Sequence, residues 1–292
     1  MMDCPRDTVL HLSDLHFWKI ILNPFALLNK RFLGNVNVIL RRRHEFLMHN
    51  AAAFIDALAG TGAQTLLLGG DYTSTAHEAE FRMARAYADQ LAARGFRLIA
   101  IPGNHDVYTF ESVRTRRFTR HFAPYAMEDA LPCRLALPGG TPLVLAPTVC
   151  ANVVSSAGRI ADAEVAHVRD LVETAPEGPV LVMGHYPVLH ETYAYRSTRS
   201  RQLRNAEALR EALGATGRSV LYLAGHVHRF SYVRDPRHAT LTHVTSNAFF
   251  LRRHGDVVDG AFSEIHAGFE GFRVYSHTRE RGQWQRSEEL PR

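Results

Sequence analysis

Five short motifs, in fixed order and each directly behind an apolar run, limit what this chain can fold into. They are Leu12-Ser13-Asp14-Leu15-His16, Gly69-Gly70-Asp71, Gly103-Asn104-His105-Asp106, Gly184-His185 and Gly225-His226-Val227-His228. The runs that lead into them, residues 8–13, 64–68, 97–101, 179–183 and 219–224, have strand length and read as buried strands. Polar residues that follow a buried strand sit at its tip, so carboxylate, amide and imidazole groups from five strands are expected to converge on one rim. In Asp14-x-His16 and His226-x-His228, residues i and i+2 at a strand end point the same way and reach one small volume.

Between these strands the chain reads as helices. Phe46, Leu47, Ala51, Phe54, Ile55 and Leu58 give residues 44–58 a helical stripe. Thr75 with Glu78 resembles a capping box for a helix carrying Phe81, Ala84, Tyr87 and Leu91. Residues 111–122, 162–174 and 206–213 are further helices, and 133–137 and 142–149 pair around Pro138-Gly139-Gly140. Beyond residue 241 come short strands, at 260–266 and 271–277, and a polar tail. Alternation first and strands last argue an α/β layered fold. With no repeat, linker or low-complexity block, one domain over 1–292 is expected, with 241–292 as closing strands and tail.

Residues 17–43 interrupt this order, as an insert after the first strand that is apolar, aromatic and basic together. Pro24 can open a helix, Phe25, Leu28 and Phe32 share a face, and Gly34 offers a stop. One reading is an apolar flap packed on its own domain. The other is a cap over the site, or a helix in a membrane interface. There Trp18, Phe25 and Phe32 would lie in the apolar layer and Lys30, Arg31 and Arg41 to Arg43 at headgroups.

Composition narrows the class. At 292 residues and 46% hydrophobic the chain can bury a large core. Its net charge of +5 is carried by arginine, since Lys19 and Lys30 are the only lysines. Arginine suits a bidentate grip on phosphate, although codon usage gives the same bias. Cys4, Cys133 and Cys150 form no Cys-x-x-Cys pair, which speaks against a disulfide framework or zinc ribbon. No secretory signal and no spanning run of ~18 apolar residues is present, so a cytoplasmic location is expected, with the inner membrane face as the place of any peripheral contact.

The motif residues offer oxygen and imidazole donors without thiolate, a set suited to Mn, Fe or Zn, with Mn²⁺ foremost. Two such ions ~3.5–4 Å apart, joined by a bridging ligand, can activate water and neutralise a phosphoryl group. The five motifs in this order resemble the calcineurin-like metallophosphoesterase superfamily, over Asp14 to His228. The resemblance implies a four-layer α/β/β/α sandwich. It implies Asp14, His16 and His228 on one metal, Asn104, His185 and His226 on the other, and Asp71 bridging both. His105 would stand beside the phosphate as proton donor or charge stabiliser, with Asp106 orienting it, and a metal-bridging hydroxide would be the nucleophile. Every ligand position is filled, which disfavours the non-catalytic binding scaffolds that share the fold.

The expected substrate is a phosphodiester or phosphoanhydride. The apolar insert tilts the choice to a lipid-linked nucleotide of the UDP-diacylglucosamine type, although some hydrolases of that group carry Arg where His105 stands here. The alternative is a cyclic-nucleotide or nucleic-acid phosphodiesterase. Long nucleic acids want a continuous basic groove with stacking aromatics, which the sequence does not display. Arg196, Arg199, Arg201 and Arg204 lie between two motifs, and Arg201 and Arg204, beside the next helix, are the substrate candidates; a solvated loop is the plainer alternative. His11 reads as a satisfied sheet residue, and His190 and His243 as residues that could line the cleft.

Overall fold

The computed structural model describes residues 6–23, 31–127, 130–152, 155–193, 199–252 and 255–292. Strands β1 (Asp7–Leu12), β2 (Thr65–Leu68) and β3 (Arg97–Ala100) begin a first sheet. The chain then builds β4 (Cys133–Ala136) and β5 (Pro142–Leu145), a two-residue β6 (Gly158–Arg159), β7 (Val180–Met183), a two-residue β8 (Leu203–Arg204), β9 (Val220–Ala224), β10 (Ser231–Arg234) and β11 (Leu241–Thr245). It returns to the first sheet with β12 (Val258–Ala267), β13 (Phe272–Glu280) and β14 (Gln283–Glu289). The first sheet has the order β14-β13-β12-β1-β2-β3 and the second β10-β11-β9-β7-β5-β4. β1, β2 and β3 are parallel, as are β5, β7, β9 and β11.

The strands that lead into the motifs are apolar on both faces because both faces are covered. Val9, Leu67 and Ile99 of the first sheet share a buried cluster with Leu143, Leu181 and Leu221 of the second. The opposite faces carry helices, as period-two alternation requires. Leu10, Leu66 and Leu98 pack with Phe54 of α3 (Ala51–Ala59) and with Phe81 and Leu91 of α4 (Glu78–Ala93). Val144, Val182 and Tyr222 pack with Val168 of α7 (Asp162–Glu173) and Leu209 of α8 (Ala206–Ala215). The fold is mixed α/β, its sheets flanked by helices.

Several expected elements break where tertiary contacts override the local pattern. Residues 44–58 are not one helix. Phe46 takes an extended backbone (φ −95°, ψ 103°), bridges to Leu251 and sets its ring 4.8 Å from that of His16. The helix expected after Thr75 starts later, capped by His77. The Glu80 carboxylate instead accepts from the Thr75 backbone and hydroxyl and from the His77 N–H. Residues 111–122 split into α5 (Phe110–Arg114) and α6 (Arg117–Phe122) at Arg116, whose φ is +48°. The polar tail is largely strand β14, whose exposed side chains hid it from an apolar pattern.

The insert holds a short helix α1 (Arg31–Asn37), a π-helical turn (Val38–Arg42) and α2 (Arg43–Glu45). Gly34 is no stop. It lies buried inside α1, where a Cβ would come 2.8 Å from Thr75 Cγ2, so glycine permits close packing. The expected helix start at Pro24, with Phe25, Leu28 and Lys30, lies outside the described residues, as does Arg196. Within residues 31–42 the polarity is inverted. Arg31, Asn35 and Arg42 are buried, while Phe32 (54% exposed), Leu33 (67%) and Leu40 (74%) face outward. Asn35 accepts from the Ile21 N–H at 2.9 Å and donates to its carbonyl at 3.0 Å, which fixes the insert's polar side inward.

Candidate metal centre

All five motifs leave the carboxyl ends of parallel strands, the usual position of sites in open α/β sheets. Asp14 and His16 follow β1, Asp71 follows β2, Asn104 to Asp106 follow β3, His185 follows β7, and His226 and His228 follow β9. The motif glycines allow these tips to touch. A Cβ on Gly225 would lie 1.9 Å from Ser13 Oγ, and one on Gly103 2.2 Å from Asp71 Oδ1. Asp14, His16, Asp71, His226 and His228 all have φ between 50° and 67°. Left-handed backbone is costly for such residues, and its concentration at one rim marks a functional site.

The side chains form two groups that share one residue. Asp14, His16, Asp71 and His228 offer donor atoms lying within 4.8 Å of one another, and so do Asp71, His185 and His226. In the first, His16 Nε2 is 3.0 Å from His228 Nε2, which lies 3.1 Å from Asp14 Oδ1. In the second, Asn104 Oδ1 is 3.1 Å from His185 Nε2 and 2.9 Å from His226 Nδ1. Asp71 turns one carboxylate oxygen to each group, Oδ2 to His16 Nε2 at 3.6 Å and Oδ1 to His185 Nε2 at 3.5 Å.

Hydrogen bonds on the far side of each ring decide what faces inward. His185 Nδ1 donates to the Gly69 carbonyl and His226 Nε2 to that of Arg201, at 2.8 and 2.9 Å. In the neutral ring the inner nitrogen therefore faces the Asn104 oxygen as a lone pair. Burial works against a charged His185, yet the Asp71 carboxylate pushes its pKa up to about 9, so its inner nitrogen takes up a proton that a metal ion would displace. His226 is lowered to about 4 by burial. Burial also opposes ionisation of Asp71, but His185 and His105 hold it well below the usual carboxylate range. Lone pairs that converge around a shared carboxylate are the arrangement a divalent cation satisfies, so the donor set fits two metal ions.

His105 and Asp106 are both at the centre. The His105 N–H donates to Asp71 Oδ1 at 2.7 Å, and its ring Nδ1 donates to the Ser74 carbonyl at 2.7 Å. Burial, then the Arg42 guanidinium, lowers its pKa to about 3, so the ring is neutral. Asp106 accepts from the Gly103, Tyr72 and Thr73 N–H groups and from the Thr73 hydroxyl. It thus ties the β2 and β3 loops together, while the His105 ring is held by Ser74. Burial and the Asp71 charge push Asp106 up to about 7.

Arg201 and Arg204 are exposed; the Arg201 carbonyl touches His226, and Arg204 lies on β8. His11 is a buried sheet residue, with Nδ1 2.7 Å from Ser246 Oγ. His243 is buried beside Asp235 at 2.9 Å, and His190 is exposed. The residue that the sequence reading missed is Arg42. Instead of meeting headgroups with Arg41 and Arg43, it is buried, with Nη1 3.0 Å from His16 Nδ1 and Nη2 3.0 Å from His105 Nε2. The signal was present: positions 31, 35, 38 and 42 fall at helical spacing on one face, and three of the four are polar while Phe32, Leu33, Val36 and Leu40 lie off it.

A rim joining two sheets, with two groups of nitrogen and oxygen donors sharing one aspartate, defines a dinuclear metal centre. The chain belongs to the calcineurin-like phosphoesterase family, whose profile matches residues 8–230. It is by that membership a phosphoester hydrolase. No curated protein sequence matches the chain. Among solved structures it resembles a dimetal phosphatase from Danio rerio (TM-score 0.63, 15% identity, 98% of this chain and 100% of that one). It also resembles the purple acid phosphatase PPD1 from yellow lupin seeds (TM-score 0.57, 12% identity), covering 96% of this chain and 52% of that one. At such identity the likeness is one of fold.

Proposed function

We propose that this protein hydrolyses a phosphodiester or phosphoanhydride of an amphiphile, a lipid-linked nucleotide among the candidates, at a centre of two divalent metal ions. The observation that carries the hydrolase reading is the division of the Asp71 carboxylate between the two donor groups. Asp14, His16 and His228 would hold one ion, Asn104, His185 and His226 the other, and Asp71 both. Mn²⁺ suits these donors best, with Fe and Zn as alternatives. Two such ions supply charge for the phosphoryl oxygens and lower the pKa of water.

The chain's own residues orient the rest. Asp106 keeps the loops of Asp71 and His105 in register, and the neutral His105, whose Nε2 accepts from Arg42, would stand beside the phosphate as charge stabiliser rather than proton donor. Arg201, whose carbonyl holds the His226 ring, and Arg204, on the short β6–β8 pair, would be substrate contacts.

The amphiphilic substrate is supported by the inverted insert. Leu22, Phe32, Leu33, Val36 and Leu40 are exposed, and so are Phe110 and Val113 of α5. Arg31 joins the two elements, bonding Glu111 at 2.7 Å and Thr109 at 3.2 Å. Exposed Arg41, Arg43, Arg114 and Arg116 border these apolar side chains in sequence, the pattern of a surface that meets anionic lipid. Among the described residues no helix is long and apolar enough to cross a membrane, so this contact would be peripheral.

Two measurements test the reading. The Mn²⁺-loaded protein should turn over bis-p-nitrophenyl phosphate, and inertness with each of Mn²⁺, Fe²⁺, Co²⁺ and Zn²⁺ would overturn the hydrolase. Co-sedimentation with anionic vesicles should fall at least about tenfold in the Phe32→Ser/Leu33→Ser/Leu40→Ser variant, given ~1.5–3 kcal/mol for each large apolar side chain buried. Equal sedimentation of variant and wild type would remove the lipid and return a soluble phosphodiester such as a cyclic nucleotide.

A further inference from the structure

Four arginines are buried among the described residues: Arg31, Arg42, Arg117 and Arg210. Three have carboxylate partners. Arg31 meets Glu111 at 2.7 Å, Arg117 meets Glu78 at 3.3 Å, and Arg210 meets Asp235 at 2.6 Å. Arg42, only 9% exposed, has no carboxylate within ion-pair distance among the described residues. Its guanidinium lies between two imidazoles, 3.0 Å from each, with the Phe46 ring 5.9 Å away. A buried cation without an anion is unfavourable, and proteins keep one where a ligand supplies the missing charge.

The hydrogen bonds sharpen this. His105 Nδ1 donates to the Ser74 carbonyl, so its Nε2 can accept from Arg42 Nη2. His16 Nδ1 faces both the Thr73 carbonyl at 3.1 Å and Arg42 Nη1. One nitrogen cannot donate to the first and accept from the second at once. When His16 Nε2 serves as a ligand, its Nδ1 proton goes to Thr73, and Arg42 Nη1 is left without an acceptor. Arg42 then has one satisfied bond and a planar edge of N–H donors beside the metal centre, matched to two oxygens of a tetrahedral anion.

We infer that Arg42 grips the phosphoryl group of the substrate, as the anion-binding residue that the 17–43 insert delivers into the site. The inference rests on the hydrolase reading for its substrate but not for its anion. The insert thereby acts on both sides, with apolar residues outward and the phosphate contact inward. Turned by one residue along the helix, the charge would join Arg41 and Arg43 in solvent.

The test measures binding of inorganic phosphate by calorimetry to the Mn²⁺-loaded full chain, alongside metal content and thermal melting. Arg42→Met should weaken phosphate binding about 100-fold, the worth of a bidentate charge-assisted contact. It should keep its metal and melt no lower than wild type without phosphate, because a buried unpaired charge has been removed. Arg42→Lys, with charge but no fork, should fall between. Unchanged phosphate affinity, no phosphate binding by wild type, or failure of both variants to fold would overturn the inference and leave Arg42 as a prop for His16 and His105. Arg42-dependent phosphate binding without turnover of any ester would keep it and sink the hydrolase instead. Turnover with kcat and KM unchanged in Arg42→Met would do the reverse.

Discussion

The metal centre and the outer face of the closing strands use the same side chains to opposite ends. On that outer face, Glu264 lies between His266 (2.5 Å), His277 (2.6 Å) and Arg286 (2.9 and 3.0 Å). Both carboxylate oxygens meet donors, and the four residues sit inside β12, β13 and β14 with no left-handed backbone at any of them. At the centre, histidine and carboxylate again gather, but on left-handed backbone and in two donor groups that share the Asp71 carboxylate. Composition cannot separate the two clusters. The direction of each far-side hydrogen bond can: one cluster is closed, and the other asks for cations.

The largest break of this contrast is Asp71→Asn. Loss of the shared charge should cut turnover at least about 10³-fold, the upper range for a group that stabilises transition-state charge, and leave fewer than two metals per chain by elemental analysis. Full metal content with normal turnover would mean the two groups are joined some other way. Asp106→Asn comes next. It keeps the fold but weakens the clamp on the Gly103, Tyr72 and Thr73 amides, and steady-state kinetics should lose about 10- to 100-fold, as when a partner behind a ligand is removed. An unaffected rate would show that the loops hold their register without it.

The smallest effect on activity is expected at the closed cluster. Glu264→Gln should leave turnover and metal content unchanged while lowering unfolding stability by about 2 kcal/mol, less than a fully buried pair because Arg286 is partly exposed. Burial opposes ionisation of Glu264, but His277, Arg286 and His266 hold its pKa well below the carboxylate range. A depressed carboxylate contributes its full stability above the unfolded value of about 4.3 and loses it as pH falls through the lower folded value. Denaturant titrations below about pH 4.3 should therefore show a shallower acid loss in Glu264→Gln than in wild type. Parallel curves would mean the cluster does not couple to folding.

The sequence made the centre legible because each donor follows a run that only a buried strand explains. Strand tips convert order along the chain into nearness in space, so Asp14, Asp71 and His185 could be placed together before any coordinate. The insert was not legible in this way. Arg41, Arg42 and Arg43 are chemically identical, and only the π-helical turn and the Asn35 bonds to Ile21 decide which faces inward. Phe46 was misplaced for a related reason: its contacts with His16 and Leu251 outweigh the helical pattern of its neighbours. β14 escaped notice because an edge strand with one apolar anchor, Trp284, carries little period-two signal.

β1 lies between β2 and β12 in the first sheet. During synthesis its far edge must stay open until residues 258–267 emerge, long after the loop bearing Asp14 and His16 has been made. Two of the seven ligand candidates are thus carried by a strand that remains vulnerable to mispairing for most of translation. Any cellular factor that shelters nascent edges would bear directly on the yield of competent enzyme.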